Sequence, residues 1–147
     1  MGRKILAIVS ALITAWGIIL VGKMFSTEGG FTTPANLEYM NRAEVAAYFS
    51  SQPTSTYVGL LIASVIGALF GGYIVTNMSR RESPGLSLTL VVAVFLIIGG
   101  IANFYFLLPG QPLWLVISTL VMYIPVTLLG HWMALALTGI NPVRARN

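Results

Sequence analysis

"YVGLLIASVIGALFGGYIVTNM", residues 57–78, runs for 22 residues without Asp, Glu, Lys or Arg. About 20 apolar residues carry a helix across a bilayer. Inside the run, small side chains recur every four positions at Gly59, Ala63, Gly67 and Gly71. A second row, Ser64, Ala68 and Gly72, stands one position further on. The residues between are large: Leu60, Leu61, Ile62, Val65, Ile66, Leu69 and Phe70. Helices in lipid gain little from hydrophobic burial against one another. They associate through close van der Waals packing, so small residues gather at their contacts. The stretch therefore reads as a membrane span with a bare packing face and as the hub of a helix bundle. The four-residue step favours a right-handed crossing near −40°.

Three further uncharged runs cover residues 5–21, 86–108 and 113–138. The chain has 147 residues, 56% hydrophobic and 8% charged, against about 25% charged in soluble domains. The expected fold is an all-α membrane protein of one domain, 1–147. Four spans form a bundle, and a short amphipathic helix lies in the first extracytoplasmic loop, residues 24–56. Shorter small-residue stripes mark the other spans: Ala7, Ala11 and Ala15; Gly99 and Gly100 followed by Asn103; Gly130, Ala134 and Thr138. Arg3 and Lys4 ahead of an apolar run also suit a signal peptide. The run exceeds a typical signal core and no small-x-small site follows it, so a retained span is expected, with Lys4 and Lys23 snorkelling at its ends.

Basic residues set the orientation. Arg3, Lys4, Arg80, Arg81, Arg144 and Arg146 flank one side, Lys23 and Arg42 the other. Both termini are therefore expected in the cytoplasm. The net charge of +4 follows from topology, and no nucleic-acid partner is expected, because no basic stripe interleaved with aromatics lies outside the membrane flanks. Trp16, Tyr57, Phe104, Tyr105 and Trp114 fall toward the outer interface, Tyr73 and Trp132 toward the inner one.

The connections differ in kind. "SRRESPG" and "PGQP" read as tight turns. The long loop contains "NRAEVAAYFSSQP", in which Asn41 can cap a helix with Glu44 three residues on, as in a capping box. Met40, Val45, Tyr48 and Phe49 share a face, and Pro53 ends the helix. It reads as a packing lid, with a partner- or ligand-binding cap as the alternative.

Little in the chain can carry chemistry. Cysteine and aspartate are missing, and histidine occurs once. A metal site needs several ligands, so none is expected. No catalytic residue and no cofactor is expected either; a lipid, or a pigment held through one axial histidine, stays open as a ligand. Polar groups inside a bilayer are costly, which makes His131, Tyr73, Asn77 and Asn103 a candidate polar site. Bonding of a neutral His131 to Tyr73, Asn77 or a backbone carbonyl is the plainer reading; a proton relay is the sharper one. Pro125 leaves the Val121 carbonyl without its helical donor, and Thr127 or a neighbouring helix could supply one.

"RAEVAAYFSSQP", the Gly/Ala-rich span closed by Arg80 and Arg81, and "GIANFYFLLPGQPLWLVISTLVMYIPVTLLG" together resemble a widespread, functionally uncharacterised group of small four-span bacterial inner-membrane proteins. In that group a Pro-Leu-Trp element opens the last span. Pro112, Leu113 and Trp114 match it, with Gln111 where a histidine is common. The resemblance covers most of residues 40–130 and implies a bacterial inner membrane, with no activity attached. The function expected is that of a non-catalytic structural or accessory subunit working through helix packing. The alternative is an oligomeric transporter or channel for a small or lipophilic solute. The partners expected are the bilayer and other membrane subunits or a second copy of the chain.

The chain lacks cysteine, so single cysteines report sidedness cleanly. On intact cells, a membrane-impermeant thiol reagent should label the Ser51→Cys variant and spare Ser83→Cys; the reverse pattern sinks the orientation.

Overall fold

The computed structural model describes residues 2–26, 41–79, 86–107 and 109–137. All regular structure among them is helical: α1 (Gly2–Ser26), α2 (Arg42–Ser50), α3 (Thr54–Ser79), α4 (Leu86–Ala102) and α5 (Leu113–Leu137). A π-helical turn, Asn103–Leu107, extends α4. Four of these helices are long and apolar enough to cross a membrane. Helix is the form such segments take, since no water is present in hydrocarbon to satisfy free backbone groups. The "SRRESPG" turn after Ser79, Met40 and Thr138 lie outside the described residues.

α3 touches α1, α4 and α5. Its two small rows face different neighbours, because adjacent helical positions lie about 100° apart. The first row meets α1. A Cβ added at Gly67 would sit 2.7 Å from the Ala15 carbonyl oxygen and 3.0 Å from Ile19 Cγ1. One at Gly71 would sit 3.4 Å from Ala15 Cβ, and Gly22 leaves no room for one against Ala63. Residue numbers fall along α1 as they rise along α3, so the pair is antiparallel. Ala7, Ala11 and Ala15 are fully buried along this seam.

The second row meets α5, and here backbone touches backbone. A side chain at Gly72 would overlap the Thr127 carbonyl, and one at Gly130 would overlap the Leu69 carbonyl. Residue numbers rise together along α3 and α5, from Leu60 beside Leu115 to Thr76 beside His131, so this pair is parallel. Leu60, one of the large residues of the span, is buried here beside Tyr57 and Leu115 and does not face lipid.

α4 attaches through side chains. Gly99 receives the Trp16 indole from α1 and Gly100 the Tyr123 ring from α5. Trp16 thus turns inward. Pro125 lies on the exposed surface and α5 continues through it.

α2 closes one end. Asn41 Oδ1 accepts from the Ala43 N–H at 3.2 Å, and Asn41 Nδ2 donates to Glu44 Oε1 at 2.9 Å. Glu44 therefore braces the capping side chain rather than the cap backbone. Val45 and Phe49 are buried, and the Phe49 carbonyl accepts from the Tyr57 hydroxyl. Arg42 donates to the Tyr105 carbonyl at 3.1 Å and stands 4.6 Å from that ring's centre. Gly110, at φ 90°, presses on the Ala46 backbone. Both its conformation and its closeness exclude a side chain.

Overpacking usually costs 1–3 kcal/mol, and at Gly72 the obstacle is backbone, which cannot rotate away. Gly72→Leu should therefore lose about 3 kcal/mol or more in reversible unfolding. Phe70→Leu, at a ring 45% exposed, should change stability by less than about 0.5 kcal/mol. Equal stability of the two variants would remove the backbone contact from the account.

Candidate functional site

Polar side chains are buried at two levels of the bundle. The first lies toward the end of α3 remote from α2, where Thr76, Thr89 and His131 bring α3, α4 and α5 together. Thr76 is 1%, Thr89 0% and His131 4% exposed. Thr76 Oγ1 lies 2.8 Å from the Gly72 carbonyl, 2.8 Å from His131 Nδ1 and 3.2 Å from Thr89 Oγ1. Thr89 Oγ1 is 3.3 Å from the same ring nitrogen. A hydroxyl has one proton and two lone pairs. The tautomer of His131 sets which of these atoms donates: Nδ1–H can donate to Thr76, or a bare Nδ1 can accept from a threonine hydroxyl. Trp132 packs edge-on against the imidazole at 5.9 Å between ring centres.

The second level lies beneath α2. Lys23, Ser64, Asn103, Gln111, Thr119 and Tyr123 line a cavity of about 20 Å³. Lys23 Nζ donates to Asn103 Oδ1 at 3.2 Å. The Ser64 hydroxyl donates to the Leu60 carbonyl at 2.8 Å, and Tyr123 lines the same cavity. The π-turn begins at Asn103, and both Asn103 and Phe104 line the cavity. The Gln111 amide atoms and Thr119 Oγ1 are buried without a hydrogen-bond partner in the protein.

Between the levels lies the dry contact of Gly72 with Thr127 and of Gly130 with Leu69. The Thr127 hydroxyl closes back onto the Tyr123 carbonyl at 2.5 Å and not onto that of Val121. Among the described residues, no continuous chain of hydrogen bonds joins Tyr123 to His131.

The residues singled out in the sequence divide accordingly. Ala63, Gly67 and Gly71 pack on α1, Gly72 packs on α5, and Ser64 and Ala68 line a narrow gap that Thr119 and Tyr123 of α5 share; Gly59 is half-buried near Gly22. Of the polar candidates, His131 meets Thr76 and Thr89 in place of Tyr73 or Asn77. Those two are half-buried, and Asn103 belongs to the other level. Lys23 turns into the bundle toward Asn103. Sequence reasoning passed over Thr76, Thr89, Gln111, Thr119 and Tyr123. One signal was available: Thr119, Tyr123, Thr127 and His131 recur every fourth residue, and all are at most 4% exposed. Among the described residues, no three His, Cys, Asp or Glu side chains gather as metal ligands. Comparison with protein-family models, curated proteins and solved structures finds no match.

Interhelical hydrogen bonds in membranes average about 0.6 kcal/mol and reach about 1.7 kcal/mol. His131→Leu should cost about 1 kcal/mol in reversible unfolding. His131→Gln, which can still donate to Thr76, should cost less than about half of that. Because the two residues share one network, His131→Leu and Thr76→Val together should cost clearly less than the sum of the singles. Strict additivity would show that the contact carries no energy.

Proposed function

We propose that this chain is a small integral protein of the bacterial inner membrane, acting as a non-catalytic structural or accessory subunit through helix packing. The observation that carries the reading is how the buried polar groups are used. Thr76, Thr89 and His131 bond to one another, while Ser64, Ser79 and Thr127 bond to carbonyls of their own helices. The first set joins three helices, and the second is satisfied within its own helix. The small rows are the packing code of the bundle, and their burial against α1 and α5 argues against homodimerisation through α3. Partner spans meet the outward apolar faces instead. The Lys/Arg distribution supports cytoplasmic termini, with α2 as an amphipathic lid on the extracytoplasmic side. The resemblance to the four-span bacterial group belongs to the same proposal.

A second reading, passage of a small solute through an oligomer, is favoured by one feature, the unpartnered polar atoms of Gln111 and Thr119 beneath α2. Purification in mild detergent followed by native mass spectrometry separates the two. The first reading expects a complex heavier than the 15.8 kDa chain by the mass of a different membrane protein in fixed ratio. A chain that runs alone or only with copies of itself, and that carries small solutes in liposome shrinkage assays, overturns it in favour of the second.

A further inference from the structure

We propose that the groove between α1 and α3, on the half of the bundle nearer α2, is a binding site for one acyl chain of a bilayer phospholipid. The inference requires only that these two helices cross the membrane, and it holds under either functional reading. The groove offers about 610 Å³, within the range of roughly 300–1,000 Å³ found for sites that hold one small ligand. Its floor is bare. Gly22 of α1 lies there with Gly59 and Ala63 of α3, and Gly22 leaves no room for a side chain against Ala63. Larger side chains stand on either side, Ile18 and Phe25 from α1, Ile62 and Ile66 from α3. Phe25, Ile62 and Ile66 are exposed, so the groove opens outward and not into the bundle.

Length and chemistry identify the occupant. On α3 the lining runs from Ser55 to Ile66, which is about 16 Å at 1.5 Å per residue. The hydrocarbon core of a bilayer is about 30 Å thick, so one leaflet accounts for about 15 Å. Ser55 is the second of the 26 residues of α3 and Ile66 the thirteenth. The groove thus begins at the membrane surface and stops at mid-span. Phe70, next on the row of Ile62 and Ile66, lies beyond the lining. This is the depth of one acyl chain hanging from its own headgroup. A partner's transmembrane helix would follow the seam through both leaflets, and it is about 10–12 Å across. Among the described residues of the lining, only Ser55, at the mouth, carries a polar side chain. Everything deeper is hydrocarbon and offers a sugar, an ion or a water nothing to bond. At position 59, glycine in place of a larger apolar residue hollows the floor.

Two exposed residues at equal depth make the test. Ile62 is the ninth residue of α3 and Val121 the ninth of α5, which runs parallel to it. They are 55% and 65% exposed, and only Ile62 lines the groove. The full chain is placed in nanodiscs of phosphatidylethanolamine and phosphatidylglycerol. A small fraction of the lipid carries a diazirine midway along one acyl chain. Illumination expels N₂ and leaves a carbene, which inserts into a neighbouring C–H bond. Mass spectrometry should find adducts at Ile62 several-fold above those at Val121. In Gly59→Leu, whose side chain fills the floor, the yield at Ile62 should fall to that at Val121. Val21→Phe, at a half-exposed wall position, should act the same way without touching the floor. Equal yields in the parent chain would show exchanging bulk lipid only and overturn the site. A yield at Ile62 several-fold below that at Val121 would show a cover of protein, either residues 27–40 or a second copy, and would also overturn it. So would an excess at Ile62 that persists in both variants once folded.

Discussion

The reciprocal contact between α3 and α5 is the constraint on which the remaining structure depends. Gly72 admits the Thr127 carbonyl and Gly130 admits that of Leu69. Each helix offers a carbonyl at one position and a bare Cα three residues later. With the helices held this close, Thr76, one turn beyond Gly72, comes within hydrogen-bond reach of His131, one residue beyond Gly130. The polar network thus depends on the glycines. The same register directs the other small row of α3, one residue back, toward α1. There Ala15 and Ile19 meet Gly67. Two faces of α3 are consumed in this way, which explains how one helix can lie at the centre of a small bundle.

The contact also separates what it aligns. Above it lies a polar cavity; below it lies a histidine bonded to two threonines. Backbone pressed on backbone leaves no room for water between them. Movement of a proton or solute from one level to the other would require α3 to part from α5. That parting would expose the Gly72 and Gly130 surfaces and break the Thr76–His131 bond together. The arrangement favours a static joint over a pathway, and it is the physical reason to prefer a structural role for His131.

The positions of the spans were legible in the sequence because charge and hydropathy decide them. The run 57–78 became Thr54–Ser79, and 113–138 became Leu113–Leu137. The first span was read short. Lys4 and Lys23 interrupt the uncharged run but not the helix, since Lys23 reaches Asn103 inside the bundle. The neighbours of His131 were misjudged for a geometric reason. Tyr73, Thr76 and Asn77 lie at similar depth, and rotation about the α3 axis selects among them. Thr76 stands four residues beyond Gly72 and so shares its face, which depth alone could not reveal. The π-turn at Asn103 was equally invisible, because one extra residue per turn leaves composition unchanged. Gln111 looked like a mere departure from the Pro-Leu-Trp element until the fold of the turn brought it over the cavity.

The helices are not held with equal firmness. α1, α3 and α5 meet through glycine and alanine, so their separations are set by backbone, and no rotamer change can alter them. α4 is held differently. Aromatic rings from α1 and α5 rest on Gly99 and Gly100, and the Thr89 hydroxyl reaches Thr76. Side chains on glycine slide and rotate at lower cost than packed backbones separate. At the far end, α4 passes into the π-turn, whose Tyr105 is gripped by Arg42 of α2. The cavity lies along this softer seam, with α5, α3 and α1 as rigid walls and the π-turn as the remaining one. Local opening draws on the least stable contacts of a structure. Local opening at this end therefore displaces α2 and the π-turn first, while the joint between α3 and α5 stays closed.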